Sequence, residues 1–254
     1  MKITRAVVPS LFTTLNIFCG FLAIMNAGQG KIEMAAWFVI LAAIFDSLDG
    51  VMARITRSSS KFGVELDSLA DVVSFGAAPS VMVYRAHLSV FDNWGILIAS
   101  LPLIFGAIRL ARFNVQLVGF DKDHFSGLPI PAQAITLSAF LLENYSDGLG
   151  MIGAARDALA PLVLLVSFLM VSRVRYETLP KLTKRDIAAN PWRVVGFGVA
   201  ALIVIFSKGQ YLFLVLFAFI CLGLIRSGYH AVRRWGLHIE KEADEESEVS
   251  SIDI

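Results

Sequence analysis

Long apolar runs are the feature that most restricts how this chain can fold. Eight runs have, or nearly have, the length of a membrane-spanning helix, and they lie at 10–28, 33–55, 64–86, 94–113, 128–144, 158–174, 193–207 and 210–230. With 56% hydrophobic and 17% charged residues and a mean hydropathy of +0.69, the chain is too apolar for a soluble domain of 254 residues. The sequence therefore predicts an all-α polytopic membrane protein. Because the seventh run is short, six or seven spans remain alternatives to eight.

The distribution of basic residues supports the eight-span count. Eight spans place both termini on one side of the membrane, and cytoplasmic loops are enriched in Lys and Arg. Of the 22 Lys and Arg residues, all fall on the side of the termini except Lys31, Arg85, Arg156 and Lys208. We therefore expect both termini, and the connection between the second and third spans, to be cytoplasmic. Seven spans would weaken this asymmetry.

The ends and the net charge limit the other classes of protein. The first ten residues lack a small-residue cleavage site, so we expect the first run to be a retained span and not a signal peptide. The acidic tail 240–254 is typical of disorder. A net charge of +1 gives no basis for binding nucleic acid. Cys19 and Cys221 lie in apolar runs and are predicted to be free, buried thiols.

Four aspartates interrupt the second and third apolar runs. Asp46 and Asp49 are three residues apart and Asp67 and Asp71 are four apart, so each pair lies on one helical face. The polar linker 56–61 lets the two helices run antiparallel, which brings the pairs together. Carboxylates in a bilayer are costly and repel one another unless cations compensate them. Oxygen ligands without histidine favour Mg²⁺, Mn²⁺ or Ca²⁺ over Zn²⁺. An intramembrane proton or ion pathway is the alternative.

Small and basic residues flank the acids. Gly50, Ala53 and Gly63 leave space for the phosphates of a ligand, or allow helices to pack closely. Arg54 lies one to two turns beyond the first Asp pair, where its guanidinium could reach a phosphate. Its alternative role is that of a cation extending to the membrane interface.

The spacing of these residues resembles the signature of the CDP-alcohol phosphotransferases, namely Asp46-x-x-Asp49-Gly50-x-x-Ala53-Arg54, eight residues, then Gly63-x-x-x-Asp67-x-x-x-Asp71. A narrower likeness, to members whose acceptor is serine, rests on the flanking runs 9–13, 16–20, 59–63, 67–76, 109–114 and 127–131. The resemblance covers about residues 5–175. It departs from the family at Ser10, where an asparagine is expected after the proline.

The resemblance implies a six-helix core over 1–175, followed by a cytoplasmic connection (176–192), an additional helix pair (193–232) and the acidic tail (233–254). It also implies transfer of phosphatidyl from CDP-diacylglycerol to the hydroxyl of L-serine with release of CMP, by direct attack or through a covalent intermediate, in a homodimer. Two Mg²⁺ or Mn²⁺ ions would be held by the four aspartates, and Asp71 would be the general base. The donor would be contacted by Gly50, Ala53, Arg54, Ser60 and Gly63.

A bound serine needs a cation for its carboxylate and an acceptor for its ammonium group. The candidates are Arg109, Arg112 and Asn114 at the cytoplasmic end of the fourth run, with Lys61 and Asn16 behind them. For both arginines, anchoring at the cytoplasmic interface is an equal alternative.

Two rival functions stay open at this point. The same fold could use another acceptor, such as glycerol phosphate or inositol phosphate. A cation transporter could use the acids as an ion path. A transporter would more often spread its acids over several spans with a repeat of discontinuous helices, whereas here they cluster on two adjacent helices.

Overall fold

The computed structural model describes residues 7–56, 60–118, 127–172, 174 and 211–228, and nearly all of them are helical. The helices are α1 (Val7–Gly28), α2 (Ile32–Thr56), α3 (Lys61–Asp71), α4 (Ala78–Ala86), α5 (Asp92–Val118), α6 (Ile130–Asn144), α7 (Ala155–Val171) and α8 (Leu212–Gly228). A π-helical segment, Val72–Ala77, joins α3 to α4, and a 3₁₀ turn, Leu88–Phe91, precedes α5.

Within the described residues, four continuous stretches are long and apolar enough to cross a membrane, namely Ser10–Gly28, Ile32–Ala53, Lys61–Ala86 and Leu88–Val115. The shorter helices α6, α7 and α8 coincide with the fifth, sixth and eighth predicted runs. The predicted class, a polytopic helical membrane protein, is confirmed. The seventh run (193–207), the connection 176–192 and the tail 233–254 lie outside the described residues, so the count of eight spans and the domain limits stay predictions.

The helix pair α1 and α2 packs through small side chains. Ala23 and Ala27 of α1, and Ala35 and Ala42 of α2, are fully buried, with 0% of their surface exposed. Small residues let two backbones approach closely, which is how helices associate in lipid without a hydrophobic driving force. These alanines pack the half of α2 that precedes the acids, and in the other half Asp49 contacts Thr13 of α1.

The third predicted span is interrupted by the π-helical segment, which the sequence analysis did not anticipate. Ser74 in this segment donates its hydroxyl hydrogen to the backbone oxygen of Asn16 over 2.9 Å. A Cβ on Gly20 of α1 would lie 2.8 Å from the Cα of Ser74, so only glycine allows this approach. π-helical turns occur often at functional sites, and this one begins directly after Asp71.

A two-stranded hairpin at the far end of the bundle was also not predicted. Tyr145 pairs with Met151 and Ser146 with Gly150. In its turn, Asp147 accepts a hydrogen bond from the Glu33 amide, and the Asp147 amide donates to the Glu33 carboxylate, each over 3.2 Å. Because free amides are found at a helix N-terminus, this exchange caps α2 from a distant part of the chain.

The run 127–131 joins the start of α6 to the end of α7. The Gly127 amide donates to the Val174 oxygen (2.8 Å) and the Leu128 amide to the Leu169 oxygen (2.9 Å). Gly127 has φ +96°, and a Cβ there would lie 2.1 Å from the Met170 oxygen. Only glycine fits, so this part of the serine-type likeness has a structural reason.

Candidate active site

The site is built around the acidic cluster, which we define as Asp46 of α2 and Asp67 and Asp71 of α3. One carboxylate oxygen of each lies within 4.8 Å of the others. The carboxyls of Asp46 and Asp71 lie within hydrogen-bonding reach of each other. Asp71 is buried, and its Oδ1 has no hydrogen-bond partner in the described structure. Three acids this close require a proton or a cation between them.

The chemistry of the donor set fits a hard divalent cation. Ca²⁺–O distances of about 2.3–2.6 Å, and Mg²⁺–O distances of about 2.0–2.1 Å, allow one ion to touch oxygens up to about 4–5 Å apart. The 4.8 Å limit within the acidic cluster matches that span. All the candidate ligands are carboxylate oxygens, which suit Mg²⁺, Mn²⁺ or Ca²⁺. The cluster can therefore hold a divalent metal ion.

The fourth predicted ligand, Asp49, lies on the same helix as Asp46 but is held differently. Its Oδ2 accepts a hydrogen bond from the hydroxyl of Thr13 on α1. Thr13 and Asp49 are both buried, with 2% and 8% of their surface exposed. Thr13 was not among the predicted site residues. The only sequence feature that pointed to Thr13 was its place at the end of the run 9–13, which resembles the family and lies three residues before Asn16.

The small residues beside the acids have different surroundings. A Cβ added to Gly50 would meet no heavy atom within 4 Å in the part of the chain that is described, so close packing does not explain this glycine. Gly63 donates its amide hydrogen to the Oγ of Ser60 over 3.0 Å, and Ser60 is the N-cap of α3. Ala53 is half-buried. Ser60 and Gly63 thus have a local structural role, and their predicted contact with the donor stays a prediction.

Two predicted cations lie beside the linker between α2 and α3. The side chain of Arg54 is outside the described part of the structure. Lys61 is the first residue of α3, and it is exposed. Lys61 can therefore reach a ligand that enters from the loop side.

Arg109 of α5 is the cation that the fold brings to the acidic cluster. Its charge interacts favourably with that of Asp71. Its Nε is buried and has no hydrogen-bond partner among the described atoms. A guanidinium has five donors, so Arg109 can balance Asp71 and still bind an anionic group of a substrate.

Arg112, one turn further along α5, is directed elsewhere. Its Nη1 donates to the Val171 backbone oxygen over 3.3 Å, at the C-terminus of α7. A cation at this position stabilises the free carbonyls and the negative end of the helix dipole. The structure thus gives Arg112 a capping role, and its predicted contact with serine stays a prediction.

Asn114 connects α5 to the helix that carries Asp67. Its Nδ2 donates to the Oγ of Ser68 over 3.0 Å, and Ser68 in turn donates to the Val64 oxygen over 3.1 Å. Ser68 directly follows Asp67, so this bond fixes the position of α3 next to the acidic cluster. Asn114 was predicted as a serine contact; the structure shows it in a helix-to-helix hydrogen bond.

Two buried amide side chains lie on helices that pack against the π-helical segment after Asp71. Asn16 of α1 and Gln133 of α6 are both 0% exposed, and neither the nitrogen nor the oxygen of either side-chain amide has a partner within the described residues. Asn16 was among the predicted serine contacts. Gln133 was not, although it lies two residues after the 127–131 run.

This fold and this site define a class of protein. The family model described as CDP-alcohol phosphatidyltransferase matches residues 6–171. The chain belongs to this family.

Two similar sequences are informative. A CDP-diacylglycerol–serine O-phosphatidyltransferase of Helicobacter pylori is 42% identical over 174 residues, which cover 68% of this chain and 73% of the relative. An archaetidylserine synthase of Methanothermobacter thermautotrophicus is 39% identical over 178 residues, covering 69% and 72%. Both alignments cover about two thirds or more of each chain.

A solved structure supports the fold. The crystal structure of Mycobacterium tuberculosis phosphatidylinositol phosphate synthase with CDP-DAG bound is similar, with a TM-score of 0.50, 21% identity, and coverage of 68% of this chain and 86% of that one. This likeness confirms the helical membrane fold of the family.

Proposed function

We propose that this chain transfers the phosphatidyl group of CDP-diacylglycerol to the hydroxyl of L-serine and releases CMP. The observation that carries the proposal is the convergence of the acidic cluster. Its three carboxylates come from two helices at the positions that match the family signature, and their oxygens lie within 4.8 Å of one another. The names of the relatives at 42% and 39% identity support serine as the acceptor.

The reaction replaces the phosphoanhydride bond of the donor by a phosphoester bond to serine. A bond forms between the serine hydroxyl oxygen and the phosphorus that carries the lipid, and the bond from that phosphorus to the CMP oxygen breaks. The proton of the serine hydroxyl needs an acceptor, and we assign this role to Asp71. Asp71 is buried, has an unpartnered oxygen, and lies beside the cationic Arg109, which suits a general base close to its substrate.

Two Mg²⁺ or Mn²⁺ ions would be held by Asp46, Asp49, Asp67 and Asp71. Their charge would neutralise that of the pyrophosphate and of the departing CMP. The hydrogen bond from Thr13 orients the carboxylate of Asp49 for this purpose. Since the other three acids already converge, Thr13 controls only the fourth ligand.

The donor is placed on the side of Gly50. The open space over Gly50 accommodates the pyrophosphate, with further contacts from Ala53, Arg54, Ser60 and Gly63. The acids lie toward the end of α2 that leads into the basic linker, which the charge bias assigns to the cytoplasm. This position, with both termini cytoplasmic, keeps the acyl chains in the bilayer and the nucleotide in water. We also propose a homodimer, on the family resemblance.

A turnover assay tests the proposal. The purified protein in detergent, given CDP-diacylglycerol, Mg²⁺ or Mn²⁺ and labelled L-serine, is expected to release CMP and to label the lipid. Parallel reactions with glycerol 3-phosphate and inositol phosphate test the rival acceptors. Release of CMP with one of these but not with serine would assign the acceptor differently, and its absence with all of them would contradict the whole proposal.

Arg109 is expected to bind the serine carboxylate. Arg109→Ala should raise the serine KM by roughly tenfold or more, because a hydrogen bond to a charged group contributes about 1.5–3 kcal/mol, and should change the donor KM less. Arg112→Ala is the matched comparison. Because Arg112 caps α7, we expect lower thermal stability and an unchanged serine KM. An equal rise in both KM values for Arg109→Ala would contradict its role.

A further inference from the structure

Buried polar atoms without a partner are unevenly distributed in this protein. In the described chain they belong to Asn16, Asp71, Arg109 and Gln133 and to the hydroxyls of Ser80, Ser138 and Ser167. A helical serine can rotate its hydroxyl toward its own backbone, so the three hydroxyls are easily explained. A buried amide with neither its donor nor its acceptor used is costly and calls for an explanation.

The helix register places Gln133 deeper in the bundle than Asp71, by at least about one helical turn. The Ile130 side chain would lie 2.5 Å from a Cβ on Gly106, so these two residues are level, and Gly106 is one turn from Arg109. Gln133 is one turn beyond Ile130. It is therefore level with Leu103, which packs on Gly76 of the π-helical segment. Gly76 follows Asp71 by five residues, or roughly 7–8 Å along a helix.

Asn16 reaches a similar depth from the other side of the π-helical segment. Thr13, which contacts Asp49, is one turn before Asn16 on α1. The Asn16 backbone oxygen accepts from Ser74, three residues after Asp71. The two amides, which we call the buried amides, thus lie on α1 and α6 about one turn below the acids. α1 and α6 both pack against the π-helical segment.

We propose that Gln133 is a specificity-determining residue of the acceptor site, and that the buried amides together bind the amino-acid head of the acceptor below Asp71. This inference rests on the proposed function. A neutral amide offers donors and an acceptor at once, which matches the carboxylate and ammonium of a zwitterion. A phosphorylated acceptor such as inositol phosphate instead requires cations. Arg109 supplies the charge for the carboxylate, and the buried amides supply the remaining hydrogen bonds.

The proposal makes an unusual prediction about stability. A residue that serves a substrate and lacks a partner in the fold can be replaced by an apolar residue of similar volume at no cost, or with a gain. Gln133→Met should therefore keep or raise the melting temperature in detergent. The same variant should raise the serine KM at least about tenfold, as expected for loss of a hydrogen bond to a charged group, with an unchanged donor KM.

Ser138→Ala is the matched control. Ser138 is on the same helix, is 0% exposed, and has an unpartnered hydroxyl in the described structure, but it lies more than one turn further from the acids. It should leave both KM values unchanged. Binding is measured separately from turnover: L-serine added with CMP and Mg²⁺ should raise the melting temperature of the wild type and of Ser138→Ala, and not that of Gln133→Met.

The outcomes separate the inference from the function it rests on. If the wild type turns over serine and Gln133→Met has the same serine KM, the inference is wrong and the proposed function stands. A Gln133→Met protein that fails to fold, or is much less stable, also overturns it, because Gln133 would then have a structural partner. So does an equal rise of the serine KM in Ser138→Ala. If the wild type uses only a phosphorylated alcohol, the proposed function itself fails.

Discussion

Carboxylates at the two ends of the bundle are held in opposite ways. At the hairpin end, Glu33 and Asp147 exchange hydrogen bonds with each other's backbone amides. Burial raises the pKa of the neighbouring Tyr145, and the negative charge of Asp147 raises it further, whereas Arg85 lowers it. At the acidic end, Asp46, Asp67 and Asp71 face one another, and Asp71 Oδ1 has no partner in the described structure. The first arrangement stabilises the fold by itself, whereas the second brings like charges together and requires a proton or a cation between them.

The glycines differ in the same way. Gly20 and Gly127 are required because another backbone lies against them, whereas a Cβ on Gly50 would meet no described atom within 4 Å. Residue type alone therefore does not distinguish a structural glycine or carboxylate from one in the site. The difference lies in whether the surrounding protein already packs against the glycine or compensates the carboxylate.

The largest effect is expected at the acidic cluster. Asp71→Asn should lower CMP release by roughly 10²- to 10⁴-fold, the range for loss of a positioned acid–base group, and Asp67→Asn should also lower it strongly through loss of a metal ligand. For Asp67→Asn the melting temperature without metal should be maintained or rise, since a like charge is removed. Asp147→Asn, at the hairpin end, is the control and should keep full activity. Full turnover by Asp71→Asn would remove its assignment as the base.

The two glycines should respond in opposite senses. Gly50→Ala is expected to raise the CDP-diacylglycerol KM, since its methyl group enters the space beside the acids, while stabilising α2 by up to about 1 kcal/mol through helix propensity. Gly20→Ala should destabilise the protein by about 1–3 kcal/mol through overpacking against Ser74, and leave the donor KM alone. Thermal unfolding and donor titrations measure both. An unchanged donor KM in Gly50→Ala would mean that this space is not used.

A smaller effect is expected from the Asn114–Ser68 bond. Asn114→Ala and Ser68→Ala should each lower stability by about 1 kcal/mol and reduce kcat a little, through the position of Asp67. If Asn114 acts through Ser68, the double variant should be no worse than either single one. A rise in serine KM confined to Asn114→Ala would instead restore the predicted contact with serine.

The smallest effect on activity is expected at the hairpin end. Asp147→Ala removes the acceptor of the Glu33 amide and should cost about 0.5–2 kcal/mol, as the loss of a helix cap does. Turnover at a temperature well below unfolding should stay at the wild-type level. A change in serine or donor KM would show that the two ends are coupled, which nothing in their hydrogen bonding indicates.

Much of the site was predictable because its signal is local. The spacing of Asp46 and Asp49, and of Asp67 and Asp71, follows helical periodicity, so the sequence predicted which faces carry the acids. The π-helical segment, the hairpin and the partners of Arg112 and Asn114 were not predictable. Each depends on a contact between segments far apart in the chain, such as Arg112 with Val171, and no periodicity reports such a contact.

By itself, the sequence determined the class of fold, the apolar helices that the structure describes and the spacing of the four acids, because apolar length and helical spacing are properties of a continuous segment. Only the tertiary structure decided how similar residues divide their roles. It placed Asp46, Asp67 and Asp71 together, and it gave Asp49 a hydrogen bond from Thr13. It placed Arg109 beside the acids and Arg112 at the end of α7. It also left the side-chain amides of Asn16 and Gln133 buried without partners among the described residues. The physical reason is that a polar group's role depends on which donors and acceptors packing brings within hydrogen-bonding distance.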